Sequence, residues 1–279
     1  GHDVTPNWPA FFDWVERYVK APPLPAGEAR PAARAATEIP TPRNDPNSAI
    51  AHSELVEKAR KGGIDVYFEG DSIVRRWGAS DPQYADLLAN WNANFHGRNA
   101  GDFGWGADRI ENILWRIQNG ELDGVNPRVI VLLAGTNNIG PNPNDATGFD
   151  VTKGIEGLIR ACKSKAPRAT IILTAIFPRN DGMGAVPVIQ RINARLVRLA
   201  DGKSVRFLNV NDQLADREGR LFDGMMNAGD KLHPTIKGYQ VWADGLKPLL
   251  TELLGPPAAT DHAPPPTGDP SVRRSSPGA

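Results

Sequence analysis

Apolar residues recur along this chain either in short continuous runs or at helical spacing. Runs of strand length predict buried strands at residues 64–68, 93–98, 129–134, 170–176 and 205–210. Apolar residues at every third or fourth position predict intervening helices, among them 108–118, 154–165 and 236–254. Strands that alternate with helices form a parallel sheet with helices on both faces. We therefore predict an α/β fold, a three-layer α/β/α sandwich with a five-stranded parallel sheet, which binds ligands at the carboxyl ends of its strands.

The two ends of the chain differ from this core in composition. Apolar residues between Trp8 and Val19 have helical spacing, and a segment rich in Pro and Ala follows over 21–47. We expect residues 1–60 to pack on the core as an amphipathic helix and a Pro-rich arm. Residues 61–254 form the core domain, and residues 255–279, rich in Pro, Ser and Gly, form a disordered tail.

Charge and cysteine content exclude several classes of function. The chain has 32 basic and 32 acidic residues, so no single-sign field indicates nucleic acid or an anionic membrane as a partner. No apolar run is long enough to span a membrane. Cys162 is the only cysteine, which excludes an intrachain disulfide and a multi-cysteine zinc site.

The first residues, Gly1 and His2, predict a trimmed chain, because no initiator methionine precedes them. We expect a secreted or periplasmic location with the export signal removed, and a cytoplasmic location stays open. The expected partner is a small-molecule or carbohydrate substrate. The oligomeric state is left open.

Ser72 directly follows the predicted strand at 64–68 and precedes a helical run. A serine at such a junction exposes its hydroxyl above the sheet, and its backbone N–H lies at a helix N-terminus that favours negative charge. A plain helix cap is the alternative. Ser72 is therefore a candidate nucleophile.

Asp230 and His233 precede the predicted helix at 236–254, three residues apart. At that spacing on a turn, the carboxylate can reach Nδ1 of the imidazole and leave Nε2 free to accept a proton. The alternative is a capping Asp and a surface His. Asn137 follows the strand at 129–134, where its amide can donate to an oxyanion, although a turn asparagine is the commoner reading.

Four short motifs together resemble a known family, the SGNH branch of the GDSL lipases and esterases. They are Gly70-Asp71-Ser72, the loop ending Gly106-Ala107-Asp108, Gly135-Thr136-Asn137, and Asp230-x-x-His233-Pro234. The resemblance covers roughly residues 64–254. Within that family, residues 108–137 are similar to the platelet-activating-factor acetylhydrolases and bacterial acetyl esterases.

This resemblance implies a flavodoxin-like fold and the hydrolysis of small acyl esters without a cofactor or metal. It matches Ser72 to the nucleophile, His233 to the general base and acid, and Asp230 to its orienting partner. It matches the oxyanion donors to the backbone N–H groups of Ser72 and Ala107 and the amide of Asn137. Ala107 departs from the glycine of those acetylhydrolases, and a position that requires positive φ would penalise alanine.

Short acyl groups, above all acetyl groups on carbohydrate, are the expected substrates, because the resemblance extends to acetyl esterases. Candidates for substrate contact are Asp71, Phe103, Trp105 and Asn138. A lipase, thioesterase or lysophospholipase would use the same triad, and a non-catalytic glycan-binding protein would share only the fold. A metal hydrolase would draw ligands from Asp230, His233 and Asp71. Of the other histidines, His52 is expected to face solvent and His96 to lie in a strand.

Overall fold

The central element is a five-stranded parallel sheet in the order β2-β1-β3-β4-β5. A computed structural model describes residues 35–139 and 143–274. The strands are β1 (Val66–Gly70), β2 (Ala100–Asp102), β3 (Val129–Leu133), β4 (Thr170–Thr174) and β5 (Val205–Leu208). This strand order is that of flavodoxin-like sheets. The predicted α/β sandwich with five parallel strands is confirmed.

Helices cover both faces of the sheet. They are α1 (Pro46–Lys61), α2 (Ser72–Gly78), α3 (Ala85–Phe95), α4 (Ile110–Arg116), α5 (Asp145–Lys165), α6 (Ala185–Leu196), α7 (Ile236–Leu254) and α8 (Pro270–Arg274). Successive side chains of a strand point to opposite faces of the sheet, so alternate strand residues pack into two separate cores, one on each face. Tyr67 packs with α1, α4, α5 and α6. Phe68 packs with α2, α3 and α7.

An aromatic cluster that includes Trp77 and Trp91 fills the core beneath α2. Trp77 is fully buried and stacks on Trp242 with ring centroids 5.1 Å apart. Its indole N–H donates to Asn90 Oδ1 at 2.8 Å, so the buried polar atom is satisfied. Each large apolar side chain buried in this way contributes about 1.5–3 kcal/mol to stability. The cluster therefore gives α2, which begins at Ser72, a rigid base.

The predicted strand at 93–98 is wrong. Residues up to Phe95 continue α3, and His96 caps the helix with its side chain exposed. The reason is the spacing of Leu87, Trp91 and Phe95, four residues apart, which places them on one helix face. The edge strand is β2, whose Ala, Gly and Asp give no apolar run for sequence reasoning to detect.

Residues 255–274 do not form the disordered tail that their composition predicts. Asp261 accepts the backbone N–H groups of Gly97 and Asn99, at 3.0 and 2.6 Å, and Asp269 accepts the amide of Asn47 at 2.7 Å. Hydrogen bonds to aspartate thus hold this segment against the rest of the protein. We call residues 255–274 the C-terminal strap.

At the other end, the arm is described only from residue 35. Thr37 is buried and donates to the carbonyl of Asp150 at 2.5 Å, and α1 buries Leu55 and Ala59. The predicted helix at 8–19, the start of the arm and residues 275–279 lie outside the described residues. The domain division at residues 60 and 254 stays a prediction. Within the described residues, no helix has both the length and the apolarity needed to cross a membrane.

Candidate active site

Ser72 is the first residue of α2, directly after β1 and the junction residue Asp71. Asp71 is the helix cap, because its side chain accepts the N–H of Ile73 at 2.9 Å. The capping reading of Ser72 therefore does not apply. The Ser72 hydroxyl is free to face His233, whose Nε2 lies 2.9 Å from Ser72 Oγ.

His233 and Asp230 occupy the turn before α7, where backbone hydrogen bonds fix the carboxylate. Oδ1 of Asp230 accepts the N–H groups of Leu232 and His233, both at 3.0 Å. Oδ2 lies 2.8 Å from Nδ1 of His233. Ser72, His233 and Asp230 thus form a continuous hydrogen-bonded line from nucleophile to carboxylate.

Two arginines that were not predicted from the sequence lie near Ser72, His233 and Asp230. Arg76, one turn along α2 from Ser72, places Nη1 3.5 Å from Oδ2 of Asp230. Arg179 follows β4 and donates to Thr136 and Asp181. Burial, and then the positive charge of Arg76, lower the pKa of His233, with a smaller contribution from Arg179. Burial alone would raise the pKa of Asp230, but hydrogen bonds from the N–H groups of His233 and Leu232 lower it. Both shifts favour a neutral histidine beside a charged aspartate.

Asn137 and Ala107 lie in the loops that follow β3 and β2, the two strands that flank β1. Asn137 is in the turn Thr136–Asn138 after β3, the neighbour of β1 in the sheet. Its Nδ2 donates to the carbonyl of Asp108 at 2.9 Å, which leaves its second amide hydrogen available. The backbone N–H of Ala107 has no acceptor in the described part of the chain.

Ala107 has a φ of 62°, in the left-handed region. For an alanine this conformation costs roughly 1–2 kcal/mol. The concern that alanine would be strained at this position is therefore justified. Strain of this kind persists only where neighbouring contacts fix the backbone.

The four residues expected to contact substrate are buried and make contacts within the protein, and their contact with substrate stays a prediction. Phe103 is fully buried and stacks on Tyr67 with centroids 4.1 Å apart. The indole N–H of Trp105 donates to Ser48 Oγ at 2.8 Å, and Asn138 binds the N–H of Ile110 and the carboxylate of Glu111. Asp71 caps α2, and burial raises its pKa to about 7. The rings of Phe103 and Trp105 both turn inward.

A buried charge cluster beneath the site was also missed. The guanidinium of Arg116 contacts three carboxylates, those of Glu69, Asp108 and Glu121. It also donates to the carbonyls of Phe103 at 2.9 Å and Gly70 at 3.3 Å. One clue was in the sequence, since Glu69 interrupts an otherwise apolar strand.

The same cluster corrects the expectation for His52. Its Nδ1 lies 2.7 Å from Glu121, so His52 points into the protein and not into solvent. Burial raises the pKa of Glu69, and Arg116 opposes the change. Through its ion pairs with Glu69 and Asp108, Arg116 connects the end of β1, which precedes Ser72, to the loop that carries Ala107.

Among residues 35–139 and 143–274, no three His, Cys, Asp or Glu side chains are grouped as metal ligands would be. Cys162 is buried, and burial raises the pKa of its thiol.

Comparison with known proteins gives one consistent result. Residues 68–241 match the model of the GDSL-like lipase/acylhydrolase family. Platelet-activating factor acetylhydrolase IB subunit alpha2 of Homo sapiens is 32% identical over 235 residues, covering 82% of this chain and 93% of the relative. The alpha1 subunit of Homo sapiens is 28% identical over 231 residues, with the same coverage. A GDSL-like lipase from Bacteroides thetaiotaomicron shares the fold, with a TM-score of 0.59 at 20% identity, covering 74% of this chain and 99% of that one.

Proposed function

Because the chain belongs to the GDSL-like lipase/acylhydrolase family and is a carboxylic ester hydrolase, we propose that it removes short acyl groups, above all acetyl groups, through a Ser72–His233–Asp230 triad. The observation that carries this proposal is the line of contacts at 2.9 Å and 2.8 Å that joins the three side chains. A serine hydroxyl is a weak nucleophile near neutral pH, and this line supplies the base that it needs.

The proposed reaction begins when Ser72 Oγ attacks the ester carbonyl carbon and its proton moves to Nε2 of His233. The tetrahedral intermediate collapses as the C–O bond to the alcohol breaks and the alcohol takes that proton from His233. Water then attacks the acyl-enzyme, again with His233 as base, and releases the carboxylic acid. Asp230 keeps the proton on Nδ1, so that Nε2 remains an acceptor at each stage.

The oxyanion is stabilised, in this proposal, by the N–H groups of Ser72 and Ala107 and the amide of Asn137. The Ser72 N–H belongs to the first turn of α2, where it has no partner within the helix. These donors are fixed before substrate binds, so no reorganisation is needed as the negative charge develops.

Acetyl groups are favoured as substrates because the relatives at 32% and 28% identity are named acetylhydrolases. The alcohol portion is proposed to be a carbohydrate or another small molecule. One observation favours a second candidate, an enzyme for longer acyl chains. Exposed large apolar side chains occur in two loops, at Met183 and Phe222, and at Ile236, the first residue of α7 and three residues after His233. The backbone N–H of Asn180 joins the first of these loops to the His233 turn through the carbonyl of Lys231, at 3.0 Å.

A series of p-nitrophenyl esters from acetate to octanoate tests this choice, together with acetate release from acetylated sugars. We expect kcat/KM to be highest on acetate and to fall at least about tenfold by butyrate, because an acetyl-sized site discriminates against added methylenes. A rate that rises toward octanoate would favour the second candidate. Binding of the sugars without turnover of any ester would indicate a glycan-binding protein, and loss of activity with a chelator would indicate a metal hydrolase.

The pH dependence follows from the surroundings of His233. Imidazolium cannot accept the serine proton, so kcat/KM falls as His233 becomes protonated. Because burial and Arg76 disfavour imidazolium, the active neutral form persists to lower pH. The acid limb measured on p-nitrophenyl acetate should have its midpoint below about 6.5, the value of an unperturbed histidine.

Arg76→Gln should raise that midpoint, because it removes a positive charge close to Asp230 and His233. Arg206→Gln is the matched control, since Arg206 lies on β5 and pairs with Glu252 of α7. A wild-type midpoint above about 6.5, or an identical midpoint in Arg76→Gln, would contradict this assignment.

A further inference from the structure

We propose that Arg43 is a positioning residue for the oxyanion hole. Arg43 lies upstream of residues 68–241, the segment that the family model matches. The inference rests on the proposed function, in which the N–H of Ala107 is one of the oxyanion donors. It concerns a side chain that approaches the site from the arm, outside the four sequence motifs.

Arg43 bridges the start of α1 and the loop that carries Ala107. Its Nη1 donates to the carbonyl of Gly106 at 3.1 Å and lies 3.3 Å from Oδ1 of Asp108. Its Nη2 lies 3.1 Å from Asp45, which caps α1 by accepting the N–H of Ser48 at 2.8 Å. The guanidinium is therefore anchored on one side to a helix and on the other to the loop.

The hydrogen bond to Gly106 acts on the peptide group that supplies the oxyanion donor. The C=O of Gly106 and the N–H of Ala107 belong to one planar trans peptide, so they point in opposite directions. Fixing the oxygen therefore fixes the direction of the N–H. A cationic donor on the carbonyl also polarises the peptide, which makes the N–H a stronger donor.

Arg43 also helps to maintain the left-handed conformation of Ala107. Asp108, the next residue, is held on its inner side by Nε of Arg116 at 2.7 Å and on its outer side by Arg43. Ala107 is thus placed between two anchored residues, Gly106 and Asp108. Without the outer anchor, the alanine is free to relax toward negative φ and turn its N–H away from the substrate oxygen.

The test compares Arg43→Met with Arg109→Met on p-nitrophenyl acetate. Both replacements remove one positive charge near the loop, but among the described residues the Arg109 side chain forms an ion pair with Glu111 alone, and it is half exposed. Arg43→Met should lower kcat about tenfold with KM unchanged, less than the hundred- to thousandfold cost of deleting an oxyanion donor. Arg109→Met should stay within about twofold of wild type.

A second measurement reports on the oxyanion itself. An aryl trifluoromethyl ketone adds to a catalytic serine and places a negative oxygen in the hole, so its Ki should rise in Arg43→Met about as much as kcat falls. Arg43→Lys retains the charge and one donor, and it should lose less than Arg43→Met. This variant keeps the test decisive should the methionine variant fail to fold, which thermal unfolding will show.

The Ala107→Gly background separates positioning from a general structural role. Glycine adopts positive φ without penalty, so the loss caused by Arg43→Met should shrink about three- to fivefold in that background. Equal losses in both backgrounds, or a loss confined to KM, would overturn the inference. Full kcat in Arg43→Met beside an inactive Ser72→Ala would overturn it while leaving the proposed function intact.

Discussion

Replacing Ser72 with alanine should lower kcat on p-nitrophenyl acetate on the order of 10⁶-fold, the loss seen when the nucleophile of a serine protease is removed. The reason is chemical, because His233 then has no hydroxyl to deprotonate and no acyl-enzyme can form. What remains is the weak assistance of the oxyanion donors to attack by water. The measurement is the steady-state rate of p-nitrophenol release by the purified variant.

Ser53→Ala is the matched control for this replacement. Ser53 is exposed on α1 and donates to the carbonyl of Ala49, one turn earlier. The control should keep wild-type kcat and KM. More than a few per cent of wild-type activity in Ser72→Ala, after tests for contaminating esterases, would remove Ser72 from the mechanism.

The second large effect is expected for Asp230→Asn, about 10⁴-fold in kcat with little change in KM. The asparagine oxygen should keep the two backbone N–H bonds that Oδ1 of Asp230 now accepts. Its NH₂ group would then face Nδ1 of His233 and force the ring proton onto Nε2. In that tautomer the histidine cannot accept the proton of Ser72.

Asp223→Asn is the control for Asp230→Asn, because it changes the same charge at an exposed position in the same loop. It should leave kcat unchanged. NMR of the imidazole nitrogens gives an independent readout, with the Nε2–H tautomer expected in Asp230→Asn alone. An Asp230→Asn variant within tenfold of wild type would show that the carboxylate does not orient His233.

The sequence was sufficient to predict that Ser72 and Asn137 lie at the carboxyl ends of strands, because strand ends can be recognised from apolar runs. Val129 to Leu133 is such a run, and the turn that carries Asn137 follows it. The same reasoning failed at β2, whose small and polar residues have no apolar period. Pairing with β1, and not intrinsic propensity, makes that segment a strand.

Side-chain direction in loops could not be predicted. Phe103 and Trp105 share a glycine-rich loop, yet contacts with Tyr67 and Ser48, distant in sequence, turn both rings inward. The contacts of Arg43 and His52 could not be predicted for a related reason. Their partners, Gly106 and Glu121, lie more than sixty residues away, and spacing along the chain gives no indication of such pairs.

The C-terminal strap has a consequence for how this protein can be divided or recombined. Asp269 on the strap binds Asn47 of α1, so two segments from opposite ends of the sequence bind each other outside residues 68–241, which the family model matches. A fragment limited to residues 68–241 would lack α1, most of α7 and the acceptor for the N–H groups of Gly97 and Asn99. The segment that must be transferred intact is therefore larger than residues 68–241. A graft onto another protein has to include both α1 and the C-terminal strap.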